Sequence, residues 1–264
     1  MATVVEATSP VLIVLAHPDD EFAIFPWVQA ATRAGRRVHC LWLTDGGYGG
    51  QDIQRRNLES VQVLQGLGVD SADMHFVGAQ WGVPDGLLHL RLEDVVPKLL
   101  AGFESLAVGA DVLVPAWEGG HQDHDASHLA GMALGNRAAR RILQYSLYHG
   151  QGLRGPWFKI LSPLPANGAH EVVETSLWQR LGHALRCLHY RSQWRSFLGL
   201  LPFYLLRMFR SDAFVLQAVN PGRSSMRPHD GALLYERRGG PSWQEFAQAT
   251  QHFRTSGPTH PGAR

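Results

Sequence analysis

Two cysteines in 264 residues exclude a disulfide framework. Cys40, in a strand-like run, and Cys187, in a helix-like one, read as small core residues of a reducing compartment. No uncharged apolar run approaches the ~20 residues that a spanning helix needs. Residues 1–10 carry neither a basic stretch nor a sustained apolar one, so no signal peptide is expected and the expected location is the cytoplasm. Neither sign of charge dominates, and a formal net charge of +1 gives no general attraction to nucleic acid. Internal repeats are absent. So is the G-x-G-x-x-G register after the first strand, and Gly46-Gly47-Tyr48-Gly49-Gly50 therefore does not mark a dinucleotide site.

What is present is an ordinary globular composition, 45% apolar and 18% charged, long enough for one α/β domain with a full core. Residues 1–254 are read as that domain, with a core over 10–150, a less regular elaboration over 151–254, and a Pro- and Gly-rich tail, 255–264, expected to be disordered. Apolar runs at 11–15, 38–43, 74–77, 111–116 and 142–148 read as strands. Helical patterns at 22–33, 53–67, 92–106 and 126–140 lie between them. Such alternation implies a Rossmann-like, doubly wound, mostly parallel sheet with helices on both faces. The long connection 78–88, holding Trp81 and Asp85, is of a length that tends to be functional. After Gly150 the pattern weakens: a short strand at 157–161, helices at 177–190 and 242–253, and a last strand at 233–235 are expected.

Chemistry concentrates in two places. Ala16-His17-Pro18-Asp19-Asp20-Glu21 follows the first strand directly, and His121-Gln122-Asp123-His124 follows the fourth. In a doubly wound sheet the carboxyl ends of neighbouring strands share one rim, so these loops can meet although about a hundred residues separate them. Imidazoles and carboxylates without thiolates suit a borderline divalent ion, zinc first, and three protein ligands plus an open position is the catalytic pattern. Of the adjacent Asp19 and Asp20, one can ligate while the other takes a proton from water. Of the two histidines, one can ligate while the other, if cationic, stabilises an oxyanion. Composition and spacing leave both pairs open. Asp123 reads as an acid that supports a histidine, and Glu21 as a capping or orienting one. Pro18 biases His17 toward extended backbone.

These motifs, with Thr44-Asp45-Gly46 after the second strand, Arg55-Arg56 and Glu59 before Leu67-Gly68-Val69, and Tyr190-Arg191-Ser192-Gln193, resemble the PIG-L/LmbE-like family of zinc-dependent N-acetylglucosamine deacetylases. The resemblance covers residues 10–130 well and the remainder weakly. It implies His17, Asp20 and His124 as metal ligands for Zn2+ (or Fe2+), Asp19 as general base, and His121 as an aid at the oxyanion or the leaving amine. It further implies Arg55, Arg56 and Asp85 as substrate contacts, although Arg56 could instead pair with Glu59 along its helix.

The substrate so implied is an N-acetylglucosamine-containing glycoconjugate. Between Arg137 and Arg210 the chain has eleven Lys/Arg and two acids, and 197–209 is apolar with Arg207 as its only charge. Both features favour a lipid-linked or acidic glycoside, with peripheral contact of 195–210 at the inner face of a membrane. Self-association is compatible with the sequence. The alternatives are a deacylase or amidase for a thiol-precursor glycoside or antibiotic, and a catalytically silent sugar-binding module.

Overall fold

The structure is a computed structural model that describes residues 9–255. All but Thr255 of the tail expected to be disordered lies outside the described residues. In chain order the first half holds β1 (Val11–Leu15), α1 (Phe25–Arg33), β2 (Val38–Trp42), α2 (Ile53–Gln65), β3 (Met74–His75), α3 (Val77–Trp81), α4 (Leu92–Ala107), β4 (Asp111–Pro115), α5 (Gln122–Gly135) and β5 (Arg141–Tyr145). Then come β6 (Tyr148–His149), β7 (Lys159–Ile160), β8 (His170–Val172), α6 (Leu177–Arg186), α7 (Trp194–Met208), β9 (Val215–Ala218), α8 (Leu234–Arg237), α9 (Trp243–Ala249) and α10 (Gln251–Thr255).

Strands run in the order β3-β2-β1-β4-β5-β9-β8. The first five are parallel, and β9 and β8 add antiparallel pairs at one edge. The expected doubly wound, mostly parallel α/β sheet is therefore what forms. In β1 every residue is buried, as a central parallel strand requires. Its alternate side chains divide the core. Val11, Ile13 and Leu15 pack with α1, α2, α6 and α7, whereas Leu12 and Val14 pack with α4, α5 and α9. Helix α5 is built of small residues because it lies flat on the sheet: a Cβ on Gly131 would collide with Val114.

Strand β1 pairs with β2 on one side and β4 on the other, so winding reverses there and a crevice opens beyond the carboxyl ends of β1 and β4. The opposite rim is tied by Asp111, the first residue of β4. Its carboxylate takes Arg36 Nη2 at 2.7 Å, Arg140 Nη2 at 2.9 Å and Arg141 Nε at 2.9 Å. Burial alone would raise this carboxyl, yet Arg141 and Arg36 hold it below its ordinary value. Its contribution to stability is thus whole above ~pH 4, the unfolded value, and is lost as pH falls through the lower folded one. Asp111→Asn should lower the unfolding free energy measured in urea by about 3–5 kcal/mol, because it strands the buried Arg36 guanidinium.

Several boundaries differ from expectation. Leu233-Leu234-Tyr235 is not a strand. The Leu234 N–H donates to Gly119 O at 2.9 Å and Glu236 caps the Leu233 N–H at 2.6 Å, which starts a helical turn instead. The last helix is two, because the Thr250 hydroxyl bonds back to Phe246 O and the turn tightens there. The expected 142–148 strand divides into β5 and β6, and 78–88 begins within α3. The 22–33 and 177–190 helices shorten to α1 and α6, flanked by 3-10 turns. Among the described residues no helix is long and apolar enough to cross a membrane.

Candidate active site

The turn after β1 is held by its own acids. Asp20 Oδ2 accepts the His17 N–H at 2.8 Å, and Glu21 Oε2 accepts the Asp19 N–H at 3.0 Å. Asp19 adopts φ 108°, ψ −20°, a conformation that Asp and Asn tolerate better than most residues. Glu21 is therefore an orienting group: its other oxygen accepts the Tyr190 hydroxyl at 2.7 Å.

The turn after β4 is held likewise. Glu118 Oε1 accepts the N–H groups of Leu147 and Tyr148, both at 2.8 Å, and Asp125 Oδ1 accepts those of Glu118 and Gly119 at 3.2 Å. Burial pushes these carboxyls up, to about 8 for Glu118 and about 7 for Asp125. A Cβ on Gly120 would collide with the Tyr148 carbonyl, so glycine is required where the loop crosses β6. His121 caps α5, its Nδ1 accepting the Asp123 N–H at 3.2 Å.

The two turns meet. Asp20 Oδ1 lies 3.1 Å from His124 Nε2, and Asp20 Oδ2 lies 3.4 Å from His17 Nδ1. His17 Nε2, on the far side of the ring, lies 3.1 Å from Asp123 Oδ2 and 3.2 Å from Asp85 Oδ1. Asp123 in turn accepts the backbone N–H of Gly86 and, at 3.0 Å, that of Leu88, fastening the 78–88 connection to α5. The His17 and His121 rings stand 4.8 Å apart, and His121 and His124 5.2 Å.

Electrostatics follow the burial. Desolvation would lower the His17 imidazole, but Asp85 and Asp20 hold it well above its ordinary value. Desolvation would raise Asp20, but His124 and His17 hold it well below. Asp85 is also held well below its ordinary range against burial, chiefly by His17. Asp19 is raised by burial, with Arg56 opposing. His121 is pushed down to about 4 by burial and then by the His17 charge. That favours the neutral ring over the cationic form that the sequence left open. With Nδ1 accepting, its proton sits on Nε2.

This donor set fits a divalent cation. One ring nitrogen from each of His17, His121 and His124 lies within 4.8 Å of the others. The Asp20 carboxylate stands between two of these rings, with one oxygen 3.1 Å from His124 Nε2 and the other 3.4 Å from His17 Nδ1. Five acids, Asp19, Asp20, Glu21, Asp85 and Asp123, gather on these turns, and only Asp19 and Asp85 have an arginine, Arg56, beside them among the described residues. His17 meets Asp123 through the ring nitrogen away from Asp20, as a supporting carboxylate does. The buried His124 Nδ1 has no hydrogen-bond partner.

The expected substrate contacts separate. Arg56 is buried, donates to Pro18 O at 2.8 Å and to Gly46 O, and lies 3.5 Å from both Asp19 Oδ2 and Asp85 Oδ2. Arg55 points away and is the partner of Glu59, at 3.2 Å; the pairing weighed for Arg56 belongs to its neighbour. Glu59 also takes the Ser192 N–H at 3.0 Å, and Gln193 Nε2 reaches Gln51 at 2.8 Å, so the Tyr190–Gln193 element packs beside the site. A cavity of ≈ 680 Å³ contains His17, Asp19, Asp20, Arg56, Asp85 and His121 and extends to Tyr148, Leu200 and Arg238. Gln193 belongs to the Tyr190–Gln193 motif already read from the sequence, Tyr148 and Arg238 had no signal there, and Glu118 and Asp125 stand within the second cluster and could have been singled out. Arg227-Pro228-His229 is structural: Arg223 donates to the carbonyls of Arg227 and Pro228, and Arg227 pairs with Glu236 at 2.6 Å. His149 turns to Ser162 O at 2.8 Å.

Comparison with known proteins adds the following. Residues 12–134, from β1 through nearly all of α5, match the family model described as PIG-L: GlcNAc-PI de-N-acetylase. No curated protein matches the chain. Among solved structures, the zinc-inhibited form of teicoplanin deacetylase Orf2 is similar with a TM-score of 0.60 at 14% identity, over 80% of this chain and 98% of that one. A deacetylase–bog complex from the teicoplanin biosynthesis pathway scores 0.58 at 17% identity, over 80% and 98%. A conserved protein of Thermus thermophilus scores 0.56 at 20% identity, over 81% and 94%. At these identities the likeness is one of fold.

Proposed function

We propose, from the match of residues 12–134 to the PIG-L family model, that the chain is a metal-dependent deacetylase of an N-acetylglucosamine-type glycoconjugate. The observation that carries this reading is the convergence of His17, Asp20 and His124 from two distant turns, with Asp19 beside them at the cavity. His17, Asp20 and His124 would hold the ion, zinc first and iron(II) second. When bound there, such an ion supplies Lewis acidity that polarises an amide carbonyl and acidifies water.

The chain's own groups do the rest. Asp19 accepts the proton of the attacking water. Arg56 holds that carboxylate and the Pro18 carbonyl in place, so it acts here as a positioning residue on the cavity wall. His121 offers a neutral Nε2–H to the oxygen on which charge develops. The departing nitrogen takes a proton, and Asp19, now protonated, is the acid able to give it. Asp123 orients His17, and Asp85, on the cavity wall, remains available to a sugar hydroxyl. Residues 1–254 would act as one domain in this work.

The test is acetate release from N-acetylglucosamine glycosides. Absence of release from every such glycoside by metal-loaded protein would falsify the reading and favour a silent binding module. Arg56→Lys, which keeps the charge but not the planar fork, should cost about 10- to 100-fold in kcat. Arg55→Ala should stay within about twofold, because its partner Glu59 is also held by Ser192.

A lipid-linked glycoside is the finer reading. On α7 and its C-cap, Trp194, Leu198, Leu206 and Phe209 are exposed, with Arg195 on the helix and Arg210 just after it, as an interfacial helix requires. Turnover of a lipid-linked N-acetylglucosamine in anionic vesicles should exceed that of the free sugar at least tenfold; equal turnover would remove the reading.

A further inference from the structure

Beside the cavity that holds the histidines and aspartates lies a smaller one of ≈ 260 Å³, walled by Tyr148, Phe158, Ser196, Gly199, Leu200 and Arg238. The two share Tyr148, Ser196, Leu200 and Arg238. The second cavity is thus a continuation of the first, away from the metal-binding residues. Distance along this path is short. The Tyr148 ring stands 5.3 Å from that of His124, and the Arg238 guanidinium stands 5.6 Å from the Tyr148 ring.

Arg238 differs from most arginines of this chain. Arg36, Arg37, Arg55, Arg56, Arg141 and Arg227 all have carboxylate partners. Arg238, immediately after α8, has none among the described residues, and its side chain makes no hydrogen bond. It is held instead by two aromatic faces, 5.6 Å from Tyr148 and 5.3 Å from Phe158. These cation–π contacts hold the guanidinium against the two rings and leave its N–H fork without a carboxylate. The smaller cavity has no acid in its lining. A cation preorganised on an aromatic platform, unpaired, at the junction of two cavities is built to receive an oxyanion in bidentate fashion.

We propose that Arg238, on the platform of Tyr148 and Phe158, is the specificity-determining residue that reads a phosphate or carboxylate carried on the aglycone of the substrate. The proposal rests on the deacetylase reading of the adjoining site for what lies in the first cavity. Tyr148 would separate the two ends of the ligand: amide toward His124, anion toward Arg238. The neutral walls, Leu200 and Phe158, give an uncharged aglycone packing but no directional partner.

Matched ligands test it by calorimetry on zinc-loaded Asp19→Asn protein, with Arg238 intact or as Arg238→Gln. One pair is N-acetylglucosamine 1-phosphate against methyl N-acetylglucosaminide. The other is the 4-carboxyphenyl against the phenyl glycoside, which separates carboxylate from phosphate as the group read. With Arg238 the anionic member of at least one pair should bind about 10- to 100-fold more tightly, and with Arg238→Gln that ratio should fall toward one. An unchanged melting temperature establishes that the variant, altered at an exposed position, is folded. A ratio near one with Arg238 intact, no binding of either anion, or an unchanged ratio in Arg238→Gln overturns the proposal. If the ratios behave as expected but wild-type protein releases acetate from none of the four ligands, the deacetylase reading fails and the oxyanion reading stands.

Discussion

Asp19→Asn is expected to lower kcat for acetate release by about 10²–10⁴-fold, the range that a lost general base costs, while metal content and fold persist. Asparagine is the appropriate substitution because residue 19 sits at φ 108°, where alanine would add backbone strain to the lost carboxylate. The Glu21 bond to the residue-19 N–H survives the change, and the amide can still face Arg56, so geometry is kept and proton affinity is not. Stability should move the other way. Burial already penalises the Asp19 carboxylate, and removing it leaves four acids about the site. A melting temperature equal to or above wild type, together with the lost rate, is the expected pair of results. Activity within about tenfold of wild type would take the base assignment from Asp19.

How much of this was legible in the sequence follows from where the chemistry sits. The two turns could be read because each is contiguous and directly follows an apolar run, and because a doubly wound sheet has only one rim on which they can meet. Side-chain direction was not readable: Arg55 and Arg56 are neighbours on α2, and nothing in their order says that Arg56 turns inward to Pro18 while Arg55 pairs with Glu59. The electrostatics of His121 were not readable for a similar reason. Its neutrality depends on burial and on the His17 charge, and both arise from residues far apart in the chain.

Beyond Gly150, strands of two to four residues carry too few positions for a period to emerge, so β8 and β9 were invisible and the antiparallel edge went unforeseen. The β8 residues are exposed throughout, as suits a short edge strand bearing a charge. Leu233-Leu234-Tyr235 misled through its composition. Three consecutive apolar residues look like a strand, but here they are buried against the turn after β4 and are capped by Glu236.

Removal of the metal separates the residues that would hold an ion from those that act beside it. Three variants can be ordered by metal content after dialysis, independently of rate. Asp20 lies within 3.4 Å of both His17 and His124, so Asp20→Asn should weaken zinc binding by more than ~100-fold, beyond what a supporting acid costs. Asp123 touches only the opposite nitrogen of His17, and Asp123→Asn should cost the roughly 10–100-fold typical of such a supporting acid. His121 is the discriminating case, because its ring nitrogen is close enough to those of His17 and His124 to serve as a third imidazole ligand. Its Nδ1 is committed to the Asp123 N–H, and burial keeps the ring neutral with its proton on Nε2, which suits an oxyanion donor. His121→Gln should therefore keep its zinc while kcat falls about 10²–10³-fold. Chelation of wild-type protein should abolish acetate release, and stoichiometric zinc should restore it. Loss of zinc from His121→Gln together with retention in Asp20→Asn would exchange the two roles. The ion would then be held by three histidines, and Asp20 would be left to orient two of them.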